Sequence, residues 1–353
     1  MRRLFASFDF SKYTKLLQGP EGINKYVPPT TLPFNYELLN FNAPNVDLSS
    51  AIDSLAAPAH DIMNRDAKLW RGAICMVVSE GLGGTAEEAL PLAVVLETLH
   101  SASLVLDDVE DNSTVRRGKP CLHLIHGEAS AVNIGKYMFF LPYSLIRHSN
   151  FPEQVKQKML KAVTLEMTRL ELGQGLDIQW ASKNIMPSLE NYLLMIECKT
   201  SIIVRLAVKL ASISNRANSY ITDQLVNFSE DIGAAFQIKD DLLNLESQEY
   251  AAGRSYLGED ITEGKRTAIV IRAFDQSPHR DRLVEILNKR TSDQTLVKEA
   301  LEIIRSTDAL QWSKKLADDR IEKALASLKN CSLTRDAESF LERMATFIVA
   351  RKK

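Results

Sequence analysis

Two clusters of acidic side chains each follow an apolar stretch of the sequence. Residues 107–111 read DDVED and follow the mostly apolar residues 92–106, and residues 240–244 read DDLLN and follow residues 232–238. A carboxylate beside a hydrophobic core is costly unless a cation compensates its charge. On a helix, the first and last residues of each cluster share one face. Magnesium combines one or two carboxylates with substrate phosphates. The clusters therefore predict a magnesium–diphosphate site, and the alternative is that each is a solvated helix end.

The composition is that of an ordinary globular protein. The chain has 353 residues, of which 45% are hydrophobic and 25% charged, and its net charge of −2 does not favour nucleic acid as a partner. Its four cysteines include no C-x-x-C pair. This scatter favours a reducing compartment, here the cytoplasm, over a zinc site or a disulfide framework. The sequence lacks a run of 18 apolar residues, so no transmembrane span is expected.

The prolines divide the chain into two regions. Residues 1–47 hold five of the twelve prolines and are predicted to form an irregular N-terminal arm. Its basic start could open an organellar transit peptide, but Asp9 interrupts that pattern and favours a plain extension. Helical patterns dominate residues 48–353, and the apolar stretch 90–106 marks a buried helix. We expect one all-α bundle there, since bundles build metal sites from facing helices.

Two longer motifs carry a resemblance to a known family. Residues 104–120 read LVLDDVEDNSTVRRGKP, and residues 236–245 read FQIKDDLLNL. Both resemble the aspartate-rich motifs of the trans-isoprenyl diphosphate synthases. Further signatures are GQGLDIQW at 173–180, KT at 199–200 and EDITEGK at 259–265. These details most resemble the eukaryotic geranylgeranyl diphosphate synthases, and the resemblance covers about residues 55–350.

The resemblance implies an isoprenoid-synthase-type helical bundle around a central active-site cavity. It also implies magnesium as cofactor, with about three ions per active site that neutralise a departing diphosphate. The implied metal ligands are Asp107, Asp111 and Asp240, and the residues that support them are Asp108, Asp241, Asn244 and Asp260. Asp107, Asp108, Asp111, Asp240, Lys199 and Lys265 are the implied catalytic residues.

Basic residues are implied to hold two diphosphates, because ammonium and guanidinium groups suit phosphate oxygens. Those for the allylic diphosphate are Arg116, Lys199 and Lys265, with Thr200 and Gln237 beside them, and those for isopentenyl diphosphate are Lys68, Arg71, His100 and Arg117. Each residue type also has an ordinary interpretation: an exposed basic turn for the arginine pair, a core histidine, surface lysines. Gln174 and Asp177 could support the site, although Asp177 could equally join two helices.

Product length is implied by the residues below the first acidic cluster. Ala102 and Ser103 lie about one turn before Asp107 and are small, which leaves room for a growing chain. Three aromatic residues further along resemble the floor that stops growth at the geranylgeranyl length: Tyr137, Phe139 and Phe140. These aromatics could also be ordinary core. Glu171 departs from the pattern, because eukaryotic relatives often have histidine at this position.

These observations predict a magnesium-dependent geranylgeranyl diphosphate synthase, a prenyltransferase. It would join isopentenyl diphosphate to an allylic diphosphate, farnesyl diphosphate above all, by ionisation, condensation and elimination. The resemblance also implies a homodimer or a higher homo-oligomer. The alternatives are a terpene cyclase on the same fold, a partner subunit without catalysis, and the prenyltransferase domain of a bifunctional terpene synthase.

Overall fold

The computed structural model describes residues 10–28, 49–246 and 257–351. The chain forms two compact units. Unit 1 extends to Val163 and adds Leu206–Asn218 and Leu333–Ala337. Unit 2 comprises Thr164–Arg205, Ser219–Ser332 and the chain from Glu338 onward.

Unit 1 is built around one long helix, α5. Its helices are α1 (Ser11–Gln18), α2 (Ile23–Tyr26), α3 (Ser49–Asn64), α4 (Trp70–Gly81), α5 (Ala86–Glu110), α6 (Leu122–His126) and α7 (Glu128–Arg147), followed by the start of α8 (Glu153–Ser182). A capping box begins α5: the Thr85 hydroxyl accepts the Glu88 N–H, and the Glu88 carboxylate accepts the Thr85 N–H. Helices α4 and α7 pack along α5, and most side chains between Leu92 and Val105 are buried. The apolar stretch therefore forms a buried helix, as its composition predicts.

A short hairpin follows α5. Its strands are β1 (Val115–Arg116) and β2 (Lys119–Pro120), with Val115 opposite Pro120. The connecting residues Arg117 and Gly118 both have positive φ, 54° and 76°, which the tight turn requires. Within the described ranges these are the β-strands, so the all-α fold class is confirmed.

Unit 2 is built on the long helix α11 and the helix that packs along it, α16. Its helices are most of α8, α9 (Leu189–Lys199), the start of α10 (Ile202–Ser214), α11 (Ser219–Glu246), α12 (Glu259–Thr262), α13 (Ala268–Gln276), α14 (Arg280–Lys289), α15 (Gln294–Arg305), α16 (Ala309–Leu328) and most of α17 (Arg335–Ala350). Ser188 and Thr267 cap α9 and α13 with their hydroxyls. The apolar faces of these helices form one core that includes Tyr192 and Ile238.

The predicted N-terminal arm, residues 1–47, includes helices α1 and α2, and most of the rest of it lies outside the described residues. Helix α1 forms in this arm without an extended apolar pattern in the sequence, because its buried residues Tyr13 and Leu17 anchor it against neighbouring helices. A single domain over residues 48–353 stays a prediction. Among the described helices, α5 is long and apolar enough to cross a membrane, but 72% of its apolar window is buried inside the protein, as in a core helix.

Candidate active site

The first acidic cluster lies at the C-terminal end of α5. Asp107 is in its last turn, and Asp111 is its C-cap, with the Asp111 N–H bonded to the Asp107 carbonyl at 2.8 Å. Both side chains are partly exposed, whereas Asp108 is 2% exposed. Asp107 and Asp111 therefore share the accessible side of the helix end, as their spacing predicts.

The hairpin turns its two arginines back onto the protein. The Nε of Arg116 donates to Asp108 Oδ1 at 2.8 Å, and Arg117 Nη1 donates to the Ile62 carbonyl at 2.6 Å and to Ser101 Oγ at 3.2 Å. Burial lowers the pKa of Arg117 to about 10, so it stays charged at neutral pH. Arg116 and Arg117 therefore form a cationic wall that is held against the protein by hydrogen bonds. They do not form the exposed basic turn that was the alternative interpretation of the sequence.

Arg71 and His100 meet beside this wall. Arg71 Nη1 lies 3.1 Å from His100 Nε2, and its guanidinium stacks on the Trp70 ring at 4.6 Å. Burial, followed by the charges of Arg71 and Arg117, lowers the pKa of His100 well below its usual value. A neutral imidazole can accept the Arg71 hydrogen bond. Lys68, in the segment before α4, is partly exposed. Unit 1 thus brings two guanidiniums and a neutral histidine together.

A buried acid that sequence reasoning missed lies against this basic group. Glu97, on α5, is 1% exposed, and its Oε1 accepts the Gly72 N–H at 2.7 Å. Burial raises its pKa, and the opposing influences are the N–H groups of Gly72 and Arg71 and the charges of Arg71 and Arg117. Its position, ten residues before Asp107 in an apolar run, is the only signal that the sequence offered.

The second acidic cluster lies on α11 in unit 2, and Asp241 is its buried member. The Tyr192 hydroxyl donates to Asp241 Oδ2 at 2.5 Å, and Gln237 Nε2 donates to Asp241 Oδ1 at 2.8 Å. Thr200 Oγ1 in turn donates to Gln237 Oε1 at 2.9 Å. Burial, followed by the Asp260 carboxylate, raises the pKa of Asp241 to about 7. The structure therefore joins Thr200 and Gln237 to the acidic cluster.

The first member of that cluster, Asp240, pairs with an arginine near the end of the chain. Arg351 Nη2 lies 2.6 Å from Asp240 Oδ1 and 2.9 Å from the Phe236 carbonyl, and its guanidinium lies 4.1 Å from the centre of the Phe236 ring. The Arg351 side chain is 2% exposed and that of Asp240 is 21% exposed. Sequence reasoning missed this partner, which is 111 residues away along the chain.

Each predicted phosphate-binding lysine of unit 2 also lies beside acids. Lys199 Nζ, on α9, is 2.6 Å from Asp177 Oδ2, on α8, so this pair also joins two helices. Lys265 Nζ is 3.6 Å from Asp260 and bonds to Glu263. Asn244 supports the same region, because its Oδ1 accepts the Asp260 N–H at 3.2 Å. Gln174 is partly exposed on α8.

The predicted chain-length residues have different environments. Ala102 is fully buried on α5, and the Ser103 hydroxyl bonds to the His100 carbonyl at 2.9 Å. Tyr137 and Phe139, on α7, are partly buried, but Phe140 is 72% exposed. Within one chain, Phe140 therefore does not close an apolar channel, because the outer face of α7 directs its ring to solvent. Glu171 is exposed on α8, so it needs no buried partner.

The donor set of these clusters suits magnesium. Asp107 and Asp111 offer carboxylate oxygens on one side of a helix end, and Asp240 and Asp241 offer them on α11. Among the described residues, no group of three or more acidic, histidine or cysteine side chains is close enough to enclose a metal ion. Magnesium takes oxygen ligands, usually one or two carboxylates together with water and phosphate oxygens.

The chain matches known proteins over most of its length. Residues 52–304 match the family model of the polyprenyl synthetases. The chain is 33% identical to a geranylgeranyl pyrophosphate synthase of Dictyostelium discoideum, over 78% of this chain and 88% of that protein. It is 31% identical to another from Macrophomina phaseolina, over 82% and 86%.

Solved structures share the fold. A geranylgeranyl pyrophosphate synthetase from Pyrococcus horikoshii superposes with a TM-score of 0.84 at 27% identity, covering 99% of each chain. A geranylgeranyl pyrophosphate synthase from Corynebacterium glutamicum, complexed with isoprenyl diphosphate and magnesium, has a TM-score of 0.81 over 98% of this chain and 100% of that one. At 20% identity the latter shows the fold alone.

Proposed function

The chain belongs to the polyprenyl synthetase family and is a prenyltransferase, and we propose that it is a geranylgeranyl diphosphate synthase. The observation that carries this proposal is the basic group of unit 1, in which Arg71, His100 and Arg117 are held by defined contacts. A terpene cyclase acts on one diphosphate and has no need of a second basic group. A synthase that joins two diphosphates does need one.

Magnesium is the cofactor that the donor set supports. The proposed ligands are Asp107 and Asp111 at the end of α5 and Asp240 on α11, with Asp108, Asp241 and Asn244 in supporting roles. When bound, the metal would supply Lewis-acid stabilisation to the diphosphate that leaves.

The reaction that we propose joins two carbon atoms. The bond between C1 of the allylic substrate and its diphosphate oxygen breaks, and the π electrons of isopentenyl diphosphate form a new C1–C4 bond. A proton then leaves C2 of the isopentenyl unit, and the released diphosphate takes it. Basic residues and the neutral His100 hold the two diphosphates. Lys68, Arg71, His100 and Arg117 bind the isopentenyl one, and Arg116, Lys199 and Lys265 bind the allylic one. They place the reacting carbons together, which supplies much of the acceleration in such reactions.

The small buried Ala102 supports a product longer than farnesyl diphosphate, because a bulky ring at this position, about one turn before Asp107, would leave less room for a growing chain. The names of the relatives also favour the geranylgeranyl length. Farnesyl diphosphate is therefore the proposed starter. We also propose a homodimer, with the exposed Phe140 as a residue that a second subunit could cover. A cytoplasmic location stays a prediction, and the four cysteines, all within the described ranges, are free thiols.

The test is incubation of the purified protein with magnesium, isopentenyl diphosphate and farnesyl diphosphate, followed by dephosphorylation and mass spectrometry. A dominant geranylgeraniol product is expected. Longer alcohols would keep the reaction and refute the product length. A hydrocarbon formed from farnesyl diphosphate alone would identify a cyclase, and no product under any pairing would refute the proposal in favour of a partner subunit.

A further inference from the structure

Helix α4 begins at a residue that cannot cap it. The N-cap is Leu69, whose φ of 49° lies in the left-handed region and whose side chain has no polar atom. The first N–H groups of a helix have no partner inside the helix, and they usually bond to the side chain of Ser, Thr, Asp or Asn at the N-cap. The first turn of α4, Trp70 to Gly72, therefore depends on an acceptor from another element.

That acceptor is Glu97. Its carboxylate reaches from the middle of α5 and accepts the N–H of Gly72 at 2.7 Å. The helices approach closely at this point, because a Cβ on Gly72 would lie 3.1 Å from the Ala93 carbonyl oxygen. A carboxylate at a helix N-terminus is also favoured by the helix dipole.

We propose that Glu97 is a positioning residue for the second diphosphate: it caps α4 from α5 and so fixes Arg71 in the basic group. This inference rests on the proposed function, because it assigns Arg71 to the isopentenyl diphosphate. Arg71 directly precedes Gly72, whose N–H is capped, and its guanidinium is held by the Trp70 ring and His100. A shift of the first turn of α4 would disturb both contacts.

The charge of Glu97 acts in the same direction. Two guanidiniums, of Arg71 and Arg117, interact with it inside the protein, and both lie near the neutral His100. Like charges that are held together without water repel each other strongly. The Glu97 carboxylate interacts with both guanidiniums and offsets that repulsion, so the basic group is assembled before any diphosphate arrives.

The experiment compares two substitutions that differ mainly in the capping acceptor. Glu97→Gln keeps an oxygen acceptor of the same reach, whereas Glu97→Met fills similar space without one. The control is Thr98→Val, which removes a buried hydroxyl whose bond, to the Val94 carbonyl, stays inside α5. Amide hydrogen exchange over residues 69–76 measures the cap directly, and steady-state kinetics measure each Michaelis constant separately.

Glu97→Met is expected to raise the Michaelis constant for isopentenyl diphosphate about tenfold or more, with less than about a threefold change for farnesyl diphosphate. It should also speed amide exchange at the start of α4. Glu97→Gln keeps the acceptor but loses the charge, so amide exchange at the start of α4 should stay close to wild type while the Michaelis constant for isopentenyl diphosphate rises to a value between those of wild type and Glu97→Met. Thr98→Val should stay within about threefold of wild type on both measures. If Glu97→Met does not fold, Glu97→Asp takes its place, because it shortens the side chain by one methylene. It should also raise the Michaelis constant for isopentenyl diphosphate selectively, but by a smaller factor.

The inference fails if the wild type makes product and Glu97→Met leaves the Michaelis constant for isopentenyl diphosphate unchanged. It also fails if both Michaelis constants rise together and exchange quickens throughout the chain, since that describes loss of structure alone. If the wild type makes no product, the proposed function fails instead, and the exchange at residues 69–76 still decides whether Glu97 caps α4.

Discussion

Replacing Tyr192 by phenylalanine tests how the second acidic cluster is held. The substitution removes one hydroxyl and leaves the ring, which is 1% exposed in the core of unit 2. That hydroxyl donates to Asp241 Oδ2 at 2.5 Å. A hydrogen bond to a charged group contributes about 1.5–3 kcal/mol. We therefore expect the free energy of unfolding to fall by about 2 kcal/mol, measured from urea denaturation.

The pH dependence of this loss in the free energy of unfolding is a further test. Burial, followed by the Asp260 carboxylate, raises the pKa of Asp241 from 3.8 to about 7. Its contribution to stability is therefore fully present below the lower value and is lost as pH rises through the higher one. The Tyr192 hydroxyl favours the ionised carboxylate, so its removal should cost more at about pH 8 than at about pH 5.

The control for Tyr192→Phe is Tyr220→Phe, because Tyr220 is on the same helix as Asp241 and is 58% exposed. It should change the free energy of unfolding by less than about 0.5 kcal/mol. A double-mutant cycle with Asp241→Asn isolates the pairwise energy. A coupling below about 0.5 kcal/mol, or a loss that does not vary with pH, would refute the proposed support of Asp241 by Tyr192.

Three further substitutions test other parts of the molecule. Asp107→Ala should lower turnover about 100-fold or more and leave the urea midpoint of unfolding unchanged, because it removes a partly exposed proposed metal ligand at a helix end. Near-normal turnover would contradict the metal assignment. Ala102→Phe should shorten the product, read by mass spectrometry, and should cost about 1–3 kcal/mol of stability through overpacking; an unchanged product would exclude a channel at this position. Arg351→Met should lower the free energy of unfolding in urea by about 2 kcal/mol, because it leaves the Asp240 carboxylate without its buried partner. The control is Lys314→Met, in a pair whose lysine is 49% exposed, which should lower it by less than about 0.5 kcal/mol. Equal losses would show that the burial of the Asp240–Arg351 pair does not matter.

The sequence predicts the fold class and the positions of the acidic clusters because both depend on local pattern. An apolar run as long as residues 92–106 that ends in acidic residues predicts a buried helix with a polar end, and α5 is that helix. The spacing of Asp107 and Asp111 places them on one side of it. Family membership, which the motifs indicate, is confirmed by the match over residues 52–304.

Which residues of a helix are exposed was harder to predict where similar residue types lie on more than one face of the helix. Phe139 and Phe140 are neighbours of the same type, yet only the first is partly buried, because adjacent helical positions point about 100° apart. The family pattern gives both the same role, and only the packing of α7 on α5 distinguishes them. Phe140 is 72% exposed, so the predicted channel floor is not formed by its ring within one chain.

The partners of the charged residues could not be predicted from the sequence, because each comes from a distant element. Asp108 pairs with Arg116 across a turn, but Asp240 pairs with Arg351, and Asp241 with Tyr192, through the tertiary fold. A buried charge must have such a partner, since an unpaired one costs several kcal/mol by itself. The existence of partners was therefore predictable and their identity was not. Because the protein already supplies them, a metal ion or a diphosphate that binds these residues exchanges one polar contact for another, and the site need not bury bare charges when it fills.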